Sequence, residues 1–85
     1  MNLYLLENLI SGKYYIGISK NLKERLVNHN SSNSHYTGKQ QGEWKMISSK
    51  YFEKEIEARQ EELRLKRSKN RKYIKWYFMS KGTGL

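Results

Sequence analysis

Two short apolar blocks open the chain. Leu3 to Glu7 and Lys13 to Ile18 are rich in Leu, Ile and Tyr, and Asn8 to Gly12 between them supplies the Asn, Ser and Gly of a tight turn. The pattern predicts an antiparallel hairpin whose second strand is closed by Gly17. Leu22 and Leu26 then recur at helical spacing, behind Ser19 and Asn21, either of which can cap a helix that runs to about Asn30. Asn30 to Gly42 is rich in Ser, Asn, Gly and Gln without a period; it reads as a loop whose His35, Tyr36 and Lys39 can reach a ligand. A third strand is expected from Glu43 to Phe52. A second helix resumes at Lys54 with Ile56, Leu63 and Leu65, and a last helix runs from about Lys69 to Ser80. No proline, repeat or linker interrupts this order. The chain is therefore expected to be one α/β domain over residues 1–85, a small three-stranded antiparallel sheet flanked by helices in the order β-β-α-β-α-α.

Composition narrows the class. A hydrophobic fraction of 36% is low, but 13% aromatic residues, seven of them Tyr, supply the large buried surfaces that a disordered chain lacks. With 85 residues the core is modest and tolerates few buried polar groups. The chain has no cysteine, which excludes disulfides and thiolate metal sites. It carries neither an apolar run near the length of a membrane span nor a secretory pattern, so cytoplasmic residence without a membrane partner is the expectation.

Charge points to a polyanionic partner. Seventeen Lys and Arg against 8 acids give a net charge of +9. The acids cluster from Glu53 to Glu62, whereas Arg64 to Lys75 holds seven bases and no acid. Lys66, Arg67, Lys69, Arg71 and Lys72 in that run read as a phosphate-binding flank with little sequence preference. Tyr73, Ile74, Trp76, Tyr77 and Phe78 read as the docking face of the last helix rather than a base-stacking platform.

Five polar residues carry candidate chemistry. Tyr4 and Tyr15 stand eleven residues apart, and the predicted hairpin brings their phenols together. Arg25 and His29, four apart, share one helix face beside Leu22. Ala58, Glu62 and Leu65 fall within an arc of ~60° on a helix, which draws Glu62 toward the apolar side. Each residue also has a plainer reading: a core aromatic pair, a surface Arg25–Glu24 contact, His29 as a cationic helix C-cap, and a Glu62–Lys66 ion pair. Glu61 is the neighbouring carboxylate with which Glu62 could be confused.

These motifs make the chain resemble the GIY-YIG nuclease superfamily, and within it the small single-domain YhbQ-like subgroup. Asn2-Leu3-Tyr4 stands where the family has Gly-Ile-Tyr, and Tyr15-Ile16-Gly17 matches the second motif unchanged. Arg25 and His29 fall at the positions of the first-helix arginine and the His or Tyr four residues later. Tyr36-Thr37 and Trp44-Lys45 resemble the subgroup's loop and third strand, and Ala58, Glu62 and Lys66 its second-helix pattern. The first motif departs at Asn2 and Leu3, and a late family asparagine has no secure counterpart, Asn70 being nearest. The resemblance implies an endonuclease that cleaves DNA in repair or recombination with one Mg²⁺ or Mn²⁺ held by Glu62. DNA over RNA, and branched or single-stranded DNA among substrates, rest on that resemblance alone.

The residue types suit the reaction. Hydrolysis of a phosphodiester requires an activated water in line with the leaving oxygen and positive charge where the phosphate gains negative charge. Tyr4 is the expected general base, its pKa lowered by nearby cations, and Tyr15 can hydrogen-bond it or the water; the residues alone leave open which phenol takes the proton, and the resemblance favours Tyr4. Arg25 offers a planar fork for a phosphate oxygen, and His29 a donor or proton shuttle. The chain lacks Asp, so a two-metal site of clustered aspartates is not expected; a single carboxylate suits Mg²⁺, which keeps most of its waters. The competing classes are a basic module on the same fold that binds nucleic acid without cutting it, and a structural protein with a basic surface.

Overall fold

A computed structural model of the protein describes residues 1–30 and 42–84. The elements are β1 (Asn2–Asn8), β2 (Tyr14–Ser19), α1 (Leu22–His29), β3 (Trp44–Tyr51), α2 (Glu55–Ser68), α3 (Arg71–Lys81) and β4 (Thr83–Gly84). The sheet is antiparallel with strand order β2-β1-β3-β4. The expected α/β order and three-stranded sheet are both present. A two-residue β4 adds to the edge of β3, in a Gly-rich stretch with no apolar run to announce it. His35, Tyr36 and Lys39 lie outside the described residues.

β1 is the centre of the molecule because both its faces are covered. Leu3, Tyr4, Leu5 and Leu6 are all fully buried, the continuous apolar run expected of a strand packed on two sides. Leu3 and Leu5 pack with Ile16, Leu65, Ile74 and Phe78, which places α2 and α3 on one face. Tyr4 and Leu6 pack with Trp44 and Met46, with Leu22 and Leu26 of α1 against them. A bulge between Leu5 and Leu6 in the pairing with β3 leaves Ile47 without an opposite residue. It turns Trp44 and Met46 toward α1 while Ile47 packs beneath α2 and α3.

Short polar side chains set the boundaries. Asn8, buried at the end of β1, accepts the N–H groups of Ile10 and Ser11 and shapes the hairpin turn. Of the two cap candidates for α1, Asn21 does the work, accepting the Glu24 N–H at 3.1 Å. The last helix begins at Arg71, not Lys69: Lys69 is left-handed with φ 49°, which ends α2, and Asn70 accepts the Tyr73 N–H at 3.0 Å. The buried side of α3 is Ile74, Tyr77 and Phe78, as a docking face requires. Trp76 departs from that expectation: it is exposed and stacks on Tyr73. Ile56 and Leu63, which help to predict α2, are also exposed, and Ala58 and Leu65 form its buried line.

Asn70→Ala should lower stability in urea by about 1 kcal/mol through loss of the cap, while Asn70→Asp, an equally good cap, should stay near wild type. Equal stability of the alanine variant would show that the cap contributes nothing.

Candidate active site

The register of the hairpin sets the site. Tyr4 stands opposite Gly17, and Tyr15 is opposite Leu6, so the two tyrosines are diagonal neighbours on the face that α1 covers. Their rings lie 6.4 Å apart. A Cβ on Gly17 would fall 2.5 Å from the Tyr4 hydroxyl oxygen and 2.7 Å from Cζ. The glycine is therefore the gap through which the Tyr4 ring crosses β2, and the Tyr-Ile-Gly motif has a steric reason as well as a chemical one.

α1 closes over this face. His29, its last residue, is buried, with Nε2 2.8 Å from the Tyr4 hydroxyl and its ring 4.6 Å from that of Tyr15. Burial, then the charge of Arg25, lowers the His29 pKa to about 4. The imidazole is neutral near pH 7, which overturns its reading as a cationic helix cap. Asn30, the next residue, accepts the Trp44 N–H at 2.7 Å and donates its side-chain amide to the Trp44 carbonyl at 3.1 Å. This two-bond clamp ties the end of α1 to the start of β3 and so fixes His29; its signal in the sequence is only an Asn after the His.

Arg25 lies on the same face of α1, one turn earlier. Its Nε donates to the Tyr4 hydroxyl at 3.3 Å, and contacts with Tyr4 and then Tyr15 raise its own pKa. The expected lowering of the Tyr4 pKa does not occur. Burial pushes it up to about 12, the hydrogen bond and charge of Arg25 pull the other way without prevailing, and the charges of Tyr15 and Glu62 add to the rise. With that value about one Tyr4 in 10⁵ is ionised at pH 7.

Glu62 reaches the site from the opposite layer. β2 is an edge strand, so a side chain from α2 can approach Tyr15 around it. The Glu62 side chain is only 13% exposed, and its Oε2 is 3.1 Å from Lys66 Nζ, the ion pair expected at this spacing. Lys66 Nζ in turn lies 5.8 Å from the centre of the Tyr15 ring. Lys66, predicted as part of a phosphate-binding flank and as the ion-pair partner of Glu62, thus stands beside Tyr15. Glu61 points elsewhere: Arg64 grips both its oxygens at 2.8 and 3.0 Å and holds its pKa at about 2. Asn70, as the cap of α3, is engaged in holding the helix start. Among the described residues no three His, Cys, Asp or Glu gather to hold a metal.

Two outcomes follow. Gly17→Ala should destabilise the fold by about 1–3 kcal/mol in urea, as overpacking a fixed ring does, and tolerance of that methyl would contradict the placement of Tyr4. His29 is stabilising only while neutral. Its folded pKa of about 4 lies below the unfolded 6.5, so this contribution is complete above pH 6.5 and is lost as pH falls toward 4, by up to about 3 kcal/mol. A His29→Gln variant should lose stability less steeply over that window, and parallel slopes would contradict the assignment.

The model of the GIY-YIG catalytic domain matches residues 1–75. Searches of curated proteins and of solved structures found no significant match. The matched span takes in the hairpin, α1, β3 and α2, and so every side chain that meets at Tyr4; with that arrangement and that match, the chain belongs to the GIY-YIG catalytic domain family, whose members are nucleases.

Proposed function

We propose that this protein is a divalent-metal-dependent endonuclease that hydrolyses phosphodiester bonds in DNA by a single in-line attack of water, and that it falls in the YhbQ-like subgroup. The observation that carries the mechanism is the 2.8 Å contact between the Tyr4 hydroxyl and His29 Nε2. A phenol with a pKa of about 12 is a poor standing base, but it can relay. With His29 in the tautomer protonated at Nδ1, Tyr4 donates its proton to Nε2 while its oxygen takes one from the attacking water. The water oxygen bonds to phosphorus, the P–O bond to the leaving group breaks, and the proton from the water remains in the Tyr4–His29 pair. Arg25 supplies donors to a nonbridging oxygen. The arriving phosphate also offsets the Arg25 charge, one of the two causes that lower the His29 pKa, so substrate binding makes the imidazole a better acceptor. Tyr15, diagonal to Tyr4, orients the water.

Glu62 is the residue that would hold the metal. One carboxylate without a cluster around it suits a hard cation such as Mg²⁺ or Mn²⁺ that keeps its waters and takes further oxygens from the substrate. When bound, the ion supplies positive charge beside the phosphate. Lys66 Nζ donates to one oxygen of that carboxylate, Oε2, at 3.1 Å.

The direct test incubates the protein with flaps, junctions, nicked duplex and single strands in Mg²⁺ or Mn²⁺. Cleavage by wild type should fall about 10²- to 10⁴-fold in Tyr4→Phe, and at least about 10²-fold in Glu62→Ala. Cleavage that survives in both would point to a contaminant or a wrong site. Salt-sensitive binding without any product would identify a binding module on the nuclease fold.

A further inference from the structure

The basic run of α2 and α3 does not spread evenly over the surface. Three adjoining depressions of about 310, 310 and 490 Å³ follow one path beside the hairpin. The first begins at the site, between Tyr15 and Lys66, and continues over Ile16 and Ile74. The second adds Lys69 and Arg71, and the third ends at Lys72 and Lys75. Tyr14 lines all three.

We infer that this groove binds an unpaired nucleic-acid strand leading to or from the scissile phosphate, with the Tyr14–Arg71 pair as a base-stacking platform. The inference rests on the nuclease reading of the site. Its floor and rim differ in chemistry: Ile16, Ile47 and Ile74 lie along the floor, and lysines stand along the rim. A duplex presents phosphates and sugars outward and would leave that floor uncovered, whereas a single strand offers base faces to the floor and phosphates to the rim. The platform is already built. The Arg71 guanidinium lies 3.8 Å over the Tyr14 ring, and it is held by the Gly12 carbonyl and by Glu7 at 3.0 Å. Glu7, the one acid lining the groove among the described residues, is thereby paired, and the half-exposed Arg71 guanidinium offers its outer plane to a base. Tyr14 and Tyr15 then divide the work across the pleat of one edge strand, the first facing the groove and the second facing Tyr4.

Binding is measured by fluorescence anisotropy with a labelled oligothymidine and with a duplex of matched length, in chelator so that nothing is cut. The single strand should bind at least about tenfold more tightly than the duplex. Tyr14→Leu should weaken single-strand binding about tenfold, as loss of one stacked base does, and duplex binding less than twofold. Lys72→Gln with Lys75→Gln, both exposed, should lower the single-strand salt slope by about 1.4, at 0.7 for each lost phosphate contact. Equal or tighter duplex binding would overturn the inference, as would an unchanged salt slope in the lysine double variant, which holds even if Tyr14→Leu fails to fold. The nuclease reading is tested separately: Tyr4→Phe should bind the single strand normally and fail to cut it. Wild-type cleavage without strand preference sinks the groove alone, and selective binding without cleavage sinks the nuclease reading alone.

Discussion

The structure depends on one buried contact, the hydroxyl of Tyr4 against Nε2 of His29. A phenol in the central strand of so small a core is costly unless its hydroxyl finds a partner, because an unpaired buried polar group costs about 1–3 kcal/mol. The partner must itself be neutral. Much of the architecture serves that meeting: Gly17 opens the path for the ring, and Asn21 starts α1. Asn30 pins its end to Trp44. The bond that satisfies the Tyr4 hydroxyl is also the one on which the proposed relay rests.

Electrostatics at the site are a contest between burial and charge, and burial prevails twice. It holds Tyr4 protonated and His29 unprotonated, even though a guanidinium lies beside the phenol. Both members of the resting pair are thus neutral rather than ionised in advance. Arg25 acts on both members, pulling the phenol down and pushing the imidazole lower, so a phosphate that engages Arg25 changes the pair without touching it. The sheet order explains how the remaining groups join. Because β2 is the edge, Glu62 and Lys66 from the α2 layer approach the tyrosines that face α1.

The hairpin and the helices were legible because their signals are local: turn residues between apolar blocks, a Ser or Asn cap before the first helix and helical spacing of Leu22 and Leu26. The cap at Asn70 was not legible, and the last helix starts two residues later than expected, at Arg71 rather than Lys69. The line of Ala58, Glu62 and Leu65 was also readable from helical spacing, and of the Glu61–Glu62 pair it is Glu62 that is the less exposed, at 13% against 27%. What escaped depends on tertiary contact. The rise in the Tyr4 pKa needs the depth of burial, which no spacing reports. Asn30 matters through a bond to a strand fourteen residues away. Ile56, Leu63 and Trp76 have the side chains of a core and the exposure of a surface, because in a small domain the helices have only one covered side.

The central claim is tested most directly by long-range ¹H–¹⁵N NMR of the His29 imidazole from pH 4 to pH 8. A neutral ring protonated at Nδ1 that begins to titrate only near pH 4, with the transition lost from that ring's neighbourhood in Tyr4→Phe, is the predicted result. A His29 that titrates near 6.5 with both nitrogens free to exchange with water would contradict the buried pair and the relay built on it.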